Sequence, residues 1–157
     1  MTSPTSPTSP TRPPVDHPAA THAYLARAAD SLREAMTTPD VPRRYACAHV
    51  AALRATAALL AARATPARPP RRGRQKNAWV LLAEVAPELG EWASFFAAGA
   101  AKRAAAEAGS RRAVTEREAD DLVRDADRFL GLVEESLGVT SHSPFQEHLR
   151  VEGRSIA

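Results

Sequence analysis

The sequence predicts an all-α fold, an antiparallel four-helix bundle, and three observations lead there. Alanine supplies most of the apolar residues and is the strongest helix former. Bulky side chains recur with a period of about 3.6 in separate Ala-rich segments. No stretch alternates β-branched and aromatic residues with period two, so no strand is expected. A length of 157 residues suits one domain with one core.

Residues 1–17 hold a TSP repeat and further prolines, too polar to offset the entropy of ordering, and are expected to be disordered. A first helix is expected over Pro18–Met36, capped by Asp16, with Leu25, Ala28, Leu32, Ala35 and Met36 as its stripe and Thr37-Thr38-Pro39 as its stop. The second follows Asp40 as N-cap and reaches about Ala64. It places Tyr45, Ala48, Ala52, Thr56 and Leu59 on one face, flanked by Leu53 and Leu60. Residues 65–76, TPARPPRRGRQK, read as an extended, exposed Pro/Arg loop.

Asn77 can cap a third helix carrying Trp79, Leu82, Val85 and Ala86. Pro87 should break it, with a restart at PELGEW, where two acids suit a first turn. The restarted segment should run through Trp92, Phe95, Phe96 and Ala100 to about Ala108, with Gly109 as its stop. Thr115 and Glu118 form a capping box for the last helix, whose stripe is Leu122, Ala126, Phe129, Val133 and Leu137, ending at Gly138. The bundle thus spans residues 18–138. Residues 139–157 should be a mostly disordered tail with a short amphipathic piece, Phe145–Val151. Short loops force antiparallel neighbours. The apolar run Trp79–Ala101 exceeds what a small monomer covers, which points to a homodimer.

Several classes of function are disfavoured. No apolar run approaches the ~20 residues of a membrane span, and the N-terminus lacks a signal-peptide core, so a cytoplasmic protein is expected. A single cysteine, Cys47, allows neither an internal disulfide nor a cysteine-rich zinc site. There is no phosphate-cradling glycine loop, no HExxH and no histidine pair at metal spacing, so neither cofactor nor metal is expected. Asp121 and Asp125 share a helix face, which reads either as a cation site or, preferably, as a solvated surface with Arg117, Arg124 and Arg128 as partners.

The net charge of +3 is unevenly spread: Arg63 to Lys76 holds six positive charges and no negative one. Arg68, Arg71, Arg72, Arg74 and Lys76 therefore read either as a contact for RNA, nucleotide phosphate or an acidic protein, or as a solvated loop. Arg43 and Arg44 sit in the first turn of the second helix, where each opposes the helix dipole at a cost of about 0.3–1 kcal/mol. They call for an acidic neighbour, such as Glu34, or an anionic ligand. His49 falls at the edge of the apolar face, where a histidine commonly hydrogen-bonds a neighbour.

The stretch Arg44-Tyr45-Ala46-Cys47-Ala48-His49-Val50-Ala51-Ala52-Leu53-Arg54 resembles the second helix of HEPN domains, small four-helix bundles found in toxins and RNA-processing proteins. NAWVLLAEVAPELGEWASFFAAGAAKRAAAEAG resembles a small actinobacterial HEPN family of the SAV type, with TEREADDLVRDADRFLGLVEESL as its last helix. The resemblance covers residues 19–137. It implies that an Arg and a His separated by four to six residues can cleave RNA without metal, two protomers sharing a cleft. Arg44-x4-His49 and Arg43-x5-His49 fit that spacing, as does Arg12-x4-His17 in the leader. Arg44 would neutralise the phosphate and His49 would act as general acid or base. The family motif lies near the start of the last helix, whereas here it is early. On one straight helix, positions five apart point about 140° from each other. The preferred expectation is therefore a non-catalytic HEPN-like binding module. The alternatives are a metal-independent, toxin-like ribonuclease and a protein-interaction bundle without nucleic acid.

Overall fold

A computed structural model describes residues 15–64 and 77–142 of the chain. It contains α1 (Ala19–Thr37), α2 (Val41–Arg63), α3 (Ala78–Val85), a 3-10 turn at Pro87–Leu89, α4 (Gly90–Ala98), α5 (Ala100–Glu107) and α6 (Glu116–Leu137). No strand occurs among the described residues. The all-α bundle expected from sequence is the fold.

Four local signals act as read. Asn77 accepts a hydrogen bond from the Val80 amide (3.0 Å) and caps α3. Thr115 and Glu118 form both halves of a capping box on α6. Gly109 and Gly138 take the left-handed backbone expected just past a helix end, at φ 85° and 67°. Two other caps differ from expectation. Asp16 does not cap α1: Pro18 is the N-cap, and its carbonyl takes the Thr21 amide (2.9 Å). Asp40 occupies the N-cap of α2, but its side chain accepts no capping bond.

Pairs of contacts fix the topology. The link Thr38–Asp40 turns α2 back along α1. Arg54 ties the two together through Ser31 Oγ (2.5 Å) and the Arg27 carbonyl (3.2 Å). Trp92 packs on Phe129 and Lys102 pairs with Glu118, so α4 and α5 run antiparallel to α6. Arg44 meets Asp120 at one end and Arg63 meets Ser136 at the other, so α2 and α6 run in the same direction, as alternate helices of an up-and-down bundle do. The break at Pro87 is a reversal: Trp79 stacks on Phe96 (5.2 Å between centroids), while Arg63 reaches the Val85 carbonyl and Glu88. The short α3 therefore lies beside the second half of α2, and α4–α5 supplies the third long rod.

That rod was expected to be unbroken from the restart to Ala108, yet it is interrupted at Gly99. A Cβ there would stand 2.9 Å from Tyr45 Oη and 3.5 Å from His49 Cδ2. Tyr45 and His49, one turn apart on α2, thus occupy the space at the break.

Where α2 faces its neighbours, the core is built of methyl groups. Ala48, Ala51, Ala52, Ala55 and Ala58 of α2 and Ala28 and Ala35 of α1 are all fully buried. Small side chains let helix backbones approach closely. The larger knobs gather at the other side, as Trp79, Leu82, Phe96, Phe129 and Leu130. By length and mean hydropathy alone (1.4 over its most apolar window) α2 is comparable to a membrane-spanning helix, but 56% of that window is buried inside the bundle, as a core helix requires.

The inner borders of the two ends make contacts with the bundle. His17 bonds the Leu137 carbonyl (2.6 Å), and residues 139–142 fold back on α6. The remainder of both tails, including Arg12 and Phe145–Val151, lies outside the described residues.

Candidate functional site

His49 is 1% exposed, on the side of α2 that faces α3 and α4. Its Nε2 lies 2.8 Å from the Phe96 carbonyl. A carbonyl only accepts, so Nε2 carries the proton and Nδ1 is bare. The Phe96 carbonyl takes the Gly99 amide (3.1 Å) where α4 stops, and its second lone pair is left for His49. His49 is therefore a side-chain cap on the C-terminus of α4. Trp79 and Phe96 meet its ring edge-on at centroid distances of 5.7 and 5.9 Å. Burial, the largest influence, pushes the imidazole below its ordinary value. The Phe96 bond and Glu107 act upward, and Arg103 acts downward. The ring is neutral at pH 7. Its Nδ1 and the Arg103 Nε are both buried without a hydrogen-bond partner among the described residues.

Arg44 points elsewhere. Its Nη1 donates to Asp120 Oδ1 (2.6 Å) and stands 3.9 Å from Glu116, while Nε and Nη2 lie 3.4 and 3.3 Å from the Thr38 carbonyl. Acids in the first turn of α6 suit its dipole and answer the arginine that α2 carries in the wrong place. Arg43 is exposed and bonds Glu34, the neighbour the sequence suggested. An acidic neighbour thus accounts for both arginines. Among the described residues Arg44 and His49 share no bonding partner, and a cation near His49 is Arg103, from α5.

Beside Arg43 the surface holds a cavity of about 420 Å³, walled by Asp40, Pro42, Ala46, Glu107 and Arg111. Its charges are mixed. The other residues expected to contact phosphate, Arg68, Arg71, Arg72, Arg74 and Lys76, lie outside the described residues.

A cluster that sequence reading missed sits at the opposite end. The His142 ring bonds Asp127 (Nε2 to Oδ1, 2.7 Å) and, through Nδ1, Glu134, and its backbone amide donates to Glu134 Oε2 (2.6 Å). Glu134 is 3% exposed. Burial pushes the imidazole down, but bonds to Asp127 and Glu134 outweigh it and raise the ring to about 9. The available signal was Glu134 itself, a carboxylate four residues after Leu130 on the apolar stripe of α6.

A family model, SAV_6107-like HEPN, matches residues 35–134, from the end of α1 to the last turn of α6. No curated protein and no solved structure gives a significant match.

Proposed function

Because the chain belongs to the SAV_6107-like HEPN family, we propose that it acts as a non-catalytic HEPN-type module, a homodimer that binds RNA or nucleotide phosphate through its basic segment. The observation that carries the non-catalytic part is the placement of His49. A general acid or base must reach the reacting atoms within hydrogen-bonding distance. His49 has its one N–H engaged with the Phe96 carbonyl, and its ring is sealed by Trp79 and Phe96. Arg44, the proposed phosphate ligand, is held by Asp120. Val80 and Val85, exposed on α3, offer apolar surface for self-association.

The test is incubation of purified protein with single-stranded RNA in excess chelator, beside His49→Ala. The expected result is no cleavage by either protein. Cleavage by the parent and none by the variant would establish the ribonuclease reading, with Arg44 and His49 meeting across two protomers.

The phosphate contact makes its own prediction. RNA affinity should fall with log salt, with a slope of roughly 0.7 for each phosphate neutralised on a single strand. Replacing Arg68, Arg71, Arg72, Arg74 and Lys76 together by glutamine should flatten that slope, read by fluorescence anisotropy at several salt concentrations. An unchanged slope would remove the segment from the interface. No RNA binding at low salt would favour a bundle that contacts only protein.

A further inference from the structure

The aromatic residues of α4 divide between core and surface. Phe96 is buried, but Phe95 is 47% exposed and Trp92 is half-buried against Phe129. They border a groove between α4 and α6 made of two adjoining depressions of about 290 and 310 Å³ that share Phe95 and Asp125. Glu91 and Trp92 line the first, and Tyr45, Lys102, Glu118, Asp121 and Leu122 line the second.

The charges in this groove are unequally satisfied. Glu118 is bound to Lys102 and to its own helix cap, and Asp121 pairs with Arg124 (3.0 Å). Glu91 and Asp125 take no hydrogen bond among the described residues. Arg128 and Arg124 lie along the same helix as Asp125, and Asp121 adds repulsion; burial, the largest influence, pushes its carboxyl above the ordinary value. Two carboxylates therefore flank two aromatic rings and want a cation.

We propose that this groove seats an arginine side chain carried by an extended segment of a partner protein. A guanidinium stacks flat on an indole or phenyl ring and still directs N–H groups in its plane at carboxylates on either side. A lysine ammonium does one of these at a time. Phosphate is excluded by sign, so the surface is distinct from any RNA contact, and the inference stands independently of the reading above. An extended polypeptide fits the groove's length. Asp121 and Asp125 lie one turn apart, about 6 Å along the axis of α6. Alternate side chains of an extended chain are about 6.6 Å apart, so two such side chains fall in register with the two depressions.

The experiment is titration of the full chain with an acetylated hexa-arginine peptide, followed by calorimetry and by tryptophan fluorescence, in which the more exposed Trp92 should respond and the buried Trp79 should not. Hexa-lysine and free arginine at equal cation concentration serve as comparisons. Hexa-arginine should bind at least tenfold more tightly than either. Asp125→Asn and Phe95→Ala, each checked for native helix content by circular dichroism, should weaken it at least tenfold, whereas Asp30→Asn, an acid on the outer face of α1, should leave it unchanged. Equal binding of the arginine and lysine peptides, unaltered affinity in both groove variants, or no binding would overturn the proposal. So would a change in sedimentation coefficient of Phe95→Ala without peptide, which would make the groove a contact between copies of the chain.

Discussion

Truncating Phe96 to alanine should destabilise the bundle by about 4 kcal/mol, the upper part of the range for a buried phenylalanine. Its ring is fully buried and meets five other rings: it stacks on Trp79 and Trp92, contacts Phe129 and Phe95, and faces His49 edge-on. Those rings come from α2, α3, α4 and α6, so a cavity here loosens four elements at once. Rigid rings cannot collapse into such a void as flexible side chains do, which keeps the penalty high. A domain of this size should then lose roughly 12 °C in melting temperature. In urea the midpoint should fall while the slope stays constant, because the surface exposed on unfolding is nearly unchanged. Phe95→Ala, one residue away and half in solvent, should cost no more than about 1 kcal/mol. Equal losses at the two positions would show that Phe96 is not the centre of the aromatic cluster.

Replacing His142 by glutamine should remove a pH-dependent share of the stability. The imidazole is raised from 6.5 to about 9 by Asp127 and Glu134, so the folded state holds its proton more tightly than the unfolded state. Its contribution is fully present below pH 6.5, declines above that, and is gone once the pH has passed 9. The interval between 6.5 and 9 corresponds to about 3 kcal/mol. Urea melts at pH 6 and pH 9.5 should therefore differ by about that amount in the parent and much less in His142→Gln. A chain ending at Gly138 should behave like the variant, because it also lacks the imidazole. Both altered proteins leave Glu134 buried without its partner, which is costly in itself. Parent and variant losing equal stability across this range would show that the His142 cluster does not anchor the segment after α6.

The elements that could be read from sequence are those whose cause lies within four residues. The Thr115–Glu118 box, the Asn77 cap and the glycines at 109 and 138 are all local, and each acts where expected. Pro87 told of a break but not of its direction, since only the stacking of Trp79 on Phe96 shows that the chain doubles back. Gly99 looked like one more small residue in an Ala-rich run. Its role depends on Tyr45 and His49, about fifty positions earlier. The same distance hid the task of His49, whose partner is a carbonyl 47 residues away. Spacing along α2 suggested Arg44 as its companion, but rotation about the helix axis sends the two side chains to different neighbours. Asp16 failed as a cap because Pro18 already starts the helix two residues later, beyond the reach of a short carboxylate side chain.

The alanine seam that α1 and α2 bury reverses the usual rule for which substitutions a core resists. Elsewhere truncation is the hazard, but at Ala28, Ala35, Ala48, Ala52 and Ala55 there is a single methyl to remove. Enlargement is what the seam cannot absorb: a leucine at any of these sites has no void to enter and must wedge two rods apart. Sequence drift is thereby channelled to the aromatic side of the bundle, where bulk can be traded between neighbours, while the two leading helices remain fixed in their spacing like the rails of a track.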